Sequence, residues 1–218
     1  AYIPFIGLFV ALAWTVPRAF AKWRHSEIYA SALLAGFILI LTVSSYLRIG
    51  IWQNTATLFE DALKTNPRNY LAYNVLGLEK ANQGKLDEAL PYFYVSLKMN
   101  PKNENAYNNA GNVYFMQKRY PEAYQCYRKA LTINDWSAIS HHKLGVWFAV
   151  HNRFDDALLH FTKALEIAPE DANALMSMGL ALLSMGKPGE AKAYFEKVIH
   201  LNPQNIQAKK ALTRSSKI

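Results

Sequence analysis

The sequence predicts an all-α chain in which two N-terminal transmembrane helices lead into a stack of helix pairs. Two observations carry that expectation. The first is a 34-residue period shared by four separate columns: Gly77, Gly111, Gly145 and Gly179; Ala89, Ala123, Ala157 and Ala191; Phe93, Tyr127, Phe161 and Phe195; and Pro67, Pro101, Pro169 and Pro203, with Asp135 in the missing slot. Four columns with one period mark a chain built from copies of one supersecondary unit. The second is an apolar run over residues 28–49 with one charge, Arg48, at its end; a helix needs about 20 such residues to cross a bilayer.

The N-terminal elements come first. Residues 1–17 are apolar and short for a full span, so they predict the remaining part of a truncated transmembrane helix. Residues 18–27 form a loop holding Arg18, Lys22 and Arg24. Basic residues in short loops are retained on the cytoplasmic side. Residues 28–49 predict a complete span, with Trp23, Tyr29, Tyr46 and Trp52 at headgroup level. The expectation is an integral membrane protein in contact with the lipid bilayer, its repeats extracytoplasmic.

The stack then follows without a linker. Residues 51–69, with Phe59, Ala62 and Pro67, match a lone second helix and predict an inner capping half-repeat. Four full units are expected at 70–103, 104–137, 138–171 and 172–205, and a capping helix at 206–218. The glycines and alanines let the two helices of a unit approach closely. The aromatic column is expected to fill the space between successive units. Turns fall at Gly84, Lys118, Asn152 and Gly186; Gly and Asn tolerate the left-handed conformation that ends a helix, so Lys118 stands out. Acidic residues such as Asp87, Glu122, Asp155 and Glu190 open the second helices, where they complement the helix dipole. Asp135 in place of proline predicts a looser turn between the second and third units.

This column order resembles the tetratricopeptide-repeat family over about three quarters of the chain. The resemblance implies a right-handed superhelix (an α-solenoid) whose first helices line a concave groove. It also implies a function of binding a protein or extended peptide, without chemistry of its own. Mapped onto that geometry, the outward columns give candidate groove residues Asn74, Asn105, Asn108, Asn112, Phe115, His142, Val146 and Met176, with Leu71, Leu78, Val150 and Asn173 nearby. A side-chain amide carries a donor and an acceptor together, so a row of asparagines suits the backbone of an extended peptide. The row partly resembles the asparagine ladder of O-GlcNAc transferase repeats. Ordinary solvated polar residues are the competing reading. The repeats that clamp a terminal carboxylate use Lys and Arg, and here those places hold largely Asn, Leu and Ile.

Other functions find little support. The net charge is +8 but no block of like charge occurs, so no nucleic-acid partner is expected. Cys126 is the single cysteine, which rules out an internal disulfide, and a helical position suits it as a small buried hydrophobe. No phosphate loop, GxGxxG or HExxH is present, and no cofactor, metal or catalytic set is expected. His141 and His142 are adjacent on a helix and point about 100° apart.

The N-terminal run AYIPFIGLF, through Tyr2, Pro4 and Gly7, resembles a motif near the last membrane helices of the transmembrane-and-tetratricopeptide O-mannosyltransferases. Trp52, Leu58 and Phe59 before the repeats fit the same order. That resemblance implies the non-catalytic C-terminal part of a lipid-linked-sugar glycosyltransferase, presenting acceptor protein. The alternative is a stand-alone membrane-tethered scaffold for complex assembly.

Overall fold

The computed structural model describes residues 32, 35–43 and 55–216. The chain divides into two compact units, 1–58 and 59–218. Within the first, residues 32 and 35–43 are helical and largely exposed. The expected helix 1–17 and the loop 18–27 lie outside the described residues, as does most of 28–49. Among the described residues no helix is long and apolar enough to cross a membrane. A span needs about 20 apolar residues in one helix, and no described helix supplies them. The two transmembrane helices of the expected fold class are corrected accordingly, together with the integral-membrane location and the bilayer partner drawn from them.

What is described is all-α. Helix α1 spans Thr55–Thr65 and has no buried residue. Four helix pairs follow: α2 (Tyr70–Asn82) with α3 (Leu86–Met99), α4 (Glu104–Met116) with α5 (Tyr120–Ile133), α6 (Ala138–Val150) with α7 (Phe154–Ile167), and α8 (Ala172–Ser184) with α9 (Pro188–Leu201). Helix α10 (Ile206–Ser215) closes the chain. From α2 to α10, each helix packs on its partner and on helices of the adjacent units, the one-dimensional arrangement of a solenoid.

The two helices of a pair start by different means. Every first helix, and α10, is capped by a short polar side chain: Asn69, Asn103, Ser137, Asp171 and Asn205 each accept from a backbone N–H two or three residues on. These positions also repeat every 34 residues. Such caps contribute about 1 kcal/mol each. The second helices have no side-chain cap. Instead the residue before them is basic, and in three units it pairs with an acid in the first turn: Arg119 with Glu122, Arg153 with Asp156, Lys187 with Glu190.

The turn within each pair is one motif repeated. Gly84, Lys118, Asn152 and Gly186 have φ of 77°, 61°, 57° and 73°. The next residue donates its N–H five residues back, as in Arg119 to Tyr114 O at 2.8 Å and Lys187 to Leu182 O at 3.0 Å. That is the Schellman arrangement. Lys118 therefore adopts the left-handed conformation despite its side chain, because the bonds on either side of it fix the turn.

The core lies between the two helices of each pair. Phe93, Tyr127, Phe161 and Phe195 are at most 2% exposed. Each ring lies against the glycine of its own unit: a Cβ on Gly77, Gly111, Gly145 or Gly179 would meet it at 2.6–2.8 Å. The aromatics thus fill space within a unit, where the sequence suggested the space between units. Ala89, Ala123, Ala157 and Ala191 are wholly buried and keep the second helices close. Cys126 is half-buried, and burial pushes its thiol up to about 11, as a small hydrophobe requires.

Candidate functional site

Along each first helix, positions spaced three, four and four residues apart fall on one stripe, about a quarter turn from the glycine. The stripes are 71, 74, 78 and 82 on α2, 105, 108, 112 and 116 on α4, 139, 142, 146 and 150 on α6, and 173, 176, 180 and 184 on α8. Successive first helices contact one another, so the stripes lie side by side and form one continuous face.

The expected groove residues divide into two groups. Asn74 and Asn108 are 9% and 3% exposed and lie between helices. Asn109 donates to Asn74 Oδ1 at 3.1 Å. Asn108 donates to Ser140 Oγ at 2.7 Å, while its own Oδ1 is buried without a partner. Asn112 accepts from the Tyr127 hydroxyl at 3.0 Å, which ties it to its own unit. Asn105 is exposed. Phe115, Val146 and Met176 are partly buried against the core, with Phe115 edge-on to Tyr120 at 5.4 Å. His142 is half-buried and hydrogen-bonded to Ser177 Oγ at 2.9 Å. Burial holds its imidazole below the usual histidine range, with Lys143 adding to the effect.

The sequence missed part of this face. Met116, Ile139 and Leu180 are 60%, 56% and 45% exposed. They share the stripe with Leu71, Leu78 and Val150, which are also exposed. A signal was present, since their positions are 34 residues from candidate sites. It was masked because apolar residues on a helix usually mark the core.

At the start of α4, next to Asn105, Glu104 gathers the polar groups of one joint. Its carboxylate accepts from Asn134 Nδ2 at 2.9 Å, from Ser140 Oγ at 2.9 Å and from the Ser137 hydroxyl. His141 Nε2 contacts Asp135 O at 3.1 Å. This is the turn expected to be loose for want of proline; the carboxylate brace supplies the restraint instead. On the far side of α6, His141 Nδ1 and His160 Nδ1 lie 2.9 Å apart. His160 stacks on Phe148 at 5.4 Å, and burial, aided by His141, pushes it down to about 4. The described residues hold no group of three or more His, Cys, Asp or Glu fit for a metal ion.

Comparison with known proteins agrees with this geometry. Models of the family described as Tetratricopeptide repeat match residues 42–104, 103–170 and 151–214. No curated protein sequence matches the chain. Among solved structures it is similar to TTC0263, a thermophilic TPR protein of Thermus thermophilus: 22% identity, TM-score 0.67, covering 83% of this chain and 97% of that one. It is similar to YrrB, a TPR protein with an unusual peptide-binding site: 24% identity, TM-score 0.58, covering 73% and 82%. It is also similar to the first TPR of Spaghetti (RPAP3), solved with an HSP90 peptide: 25% identity, TM-score 0.51, covering 52% and 90%. Three matched stretches carrying one repeat, and helix pairs of one geometry throughout, make this chain a member of the tetratricopeptide-repeat family.

Proposed function

We propose that the stripe face of the first helices binds an extended segment of a partner protein. The observation that carries this is the run of exposed apolar side chains, Leu71, Leu78, Met116, Ile139, Val150 and Leu180, on a face bordered by polar amides. Contiguous exposed apolar surface marks interaction sites. In this reading Asn105, Asn112, Phe115, His142, Val146 and Met176 form the groove floor. Asn74 and Asn108 hold the floor together from below, because their amides are engaged between helices. That the Spaghetti repeats were solved with a peptide supports the choice of ligand. The proposed role is a scaffold that brings partner proteins together.

A narrower reading rests on the resemblance of Tyr2, Pro4 and Gly7, with Trp52, Leu58 and Phe59, to the O-mannosyltransferases. Under it the groove presents acceptor protein to a glycosyltransferase. Reading the sequence upstream of Ala1 tests this: an early extracytoplasmic loop with paired acidic residues supports it, and a start codon adjoining Ala1 refutes it.

The groove itself is tested by selecting peptides from a displayed random library on the full chain and titrating them by fluorescence anisotropy. The double change Ile139→Asp with Leu180→Asp should weaken binding about ten-fold or more, equivalent to about 1.4 kcal/mol. Leu159→Asp, at an exposed site on the second helix α7, should leave it unchanged. The reverse pattern would place the site on the other face.

A further inference from the structure

The groove face differs from the rest of the molecule in charge. The four stripe columns hold no Asp, Glu, Lys or Arg on any first helix, whereas every second helix carries three or four charged residues. The first helices hold Glu79, Lys80, Glu104 and Lys143, all off the stripe. Three of these are already engaged: Lys80 with Glu88 at 3.0 Å, Glu79 with Gln83 at 3.0 Å, and Glu104 with Asn134, Ser137 and Ser140. Lys143 is half-buried and feels Asp171, and burial draws its ammonium below the usual lysine range. Burial likewise disfavours the charged form of His142, the histidine on the stripe, with Lys143 adding to the effect.

We infer that the occupant of this groove is an uncharged, apolar protein segment in extended conformation; the inference rests on the binding face proposed above. A peptide carboxylate or ammonium lying on the stripe loses water and gains no counter-ion, which is costly. Apolar side chains gain from covering Ile139, Val150 and Leu180. The fit is one of matched charge: a neutral groove for a neutral ligand, with the protein's charges turned to the other helices. Neighbouring helices pack about 8–10 Å apart and an extended chain advances about 3.3 Å per residue. Each unit therefore accommodates about three ligand residues, and crossing the four first helices takes roughly nine. The ends of the stripes provide polar anchors at Asn105 and Asn173, both exposed, for the ligand backbone.

The test uses the library selection on the full chain, read by sequence composition and by salt. Enriched peptides should be poor in Asp, Glu, Lys and Arg. Replacing one central apolar residue of a selected peptide by Glu or by Lys should each weaken binding about ten-fold or more. Affinity should change less than about two-fold between low and high salt, since little charge is there to be screened. Ile139→Lys should convert the selection towards acidic peptides. Enrichment of acidic peptides by the unaltered chain, abolished by Lys143→Met, would overturn the inference while leaving the groove reading intact. Failure of any peptide to enrich on a chain with a normal helical spectrum would overturn both.

Discussion

Gly145→Ala offers a quantitative check on the packing that sets the fold. The added Cβ would lie 2.6 Å from Phe161 Cε1 and 2.7 Å from Cδ1, where carbon atoms rest at about 3.5–4.0 Å. The ring must therefore retreat by about 1 Å. Phe161 is 1% exposed, so it has no solvent side to move into, and the helices must separate. Overpacking of this kind costs about 1–3 kcal/mol. Removing a glycine from a helix interior returns about 1 kcal/mol. The net expectation is a loss of up to about 2 kcal/mol, read as a lower urea midpoint by circular dichroism. Gly189 is the internal control: it also lies in a helix, yet a Cβ there meets nothing within 4 Å. Gly189→Ala should stabilise by up to about 1 kcal/mol. Opposite signs at the two glycines are required; a stabilised Gly145→Ala would refute the close approach. Adding Phe161→Leu to Gly145→Ala should cost less than it does in the native background, and a double-mutant cycle measures that coupling.

Three further outcomes follow from the structure. Lys118→Gly or Lys118→Asn should raise the melting temperature, gaining up to about 1 kcal/mol, because the left-handed backbone at 118 strains a lysine; a lower melting temperature for both would mean that the lysine side chain itself supports the turn. His160 is held neutral by burial, down to about 4, and His141 is lowered by the same cause, whereas unfolded histidine titrates near 6.5. Their contribution to stability is therefore complete above about pH 6.5 and is lost as the pH falls towards 4; the melting temperature should drop over that window, and His160→Phe, which keeps the stack on Phe148, should reduce the drop. Glu104→Ala should destabilise by about 2 kcal/mol or more, as the hydroxyls and amide it holds lose a charged acceptor, with Glu104→Gln intermediate by chemical denaturation.

The helix pairs were legible because their columns repeat a residue type: small at 145, small at 157, aromatic at 161. The capping column was equally regular but escaped notice, since Asn69, Asn103, Ser137 and Asp171 share a role and not an identity. Helical spacing placed Asn74 and Asn108 on the groove stripe but gave only an angle about the axis. Whether such a residue faces solvent or a neighbouring helix depends on how far the next unit is rotated, which no single helix encodes. Met116 and Ile139 are exposed, but as apolar residues on a helix they read as core. Hydropathy over 28–49 counts apolar residues alone, whereas a span also requires them in one continuous helix, and among the described residues no helix is long and apolar enough to cross a membrane.

The Glu104 brace has a mechanical consequence. Where each helix touches only its neighbours, a bend imposed on the stack is shared among the joints in inverse proportion to their stiffness, as in springs joined in series. The joint between α4 and α6 is cross-linked through one carboxylate to three side chains. The joint before it is bridged by the Asn74–Asn109, Asn103–Ser96, Gln117–Asp87 and Tyr94–Tyr114 bonds, and the joint after it by the His142–Ser177 bond. Compliance therefore gathers towards the C-terminal joint, and the first three units act as the stiff link. Under load the curvature changes first at the C-terminal unit, so a ligand bound as proposed would meet a template of fixed pitch along α2 to α6, while the last unit follows whatever length of chain it presents.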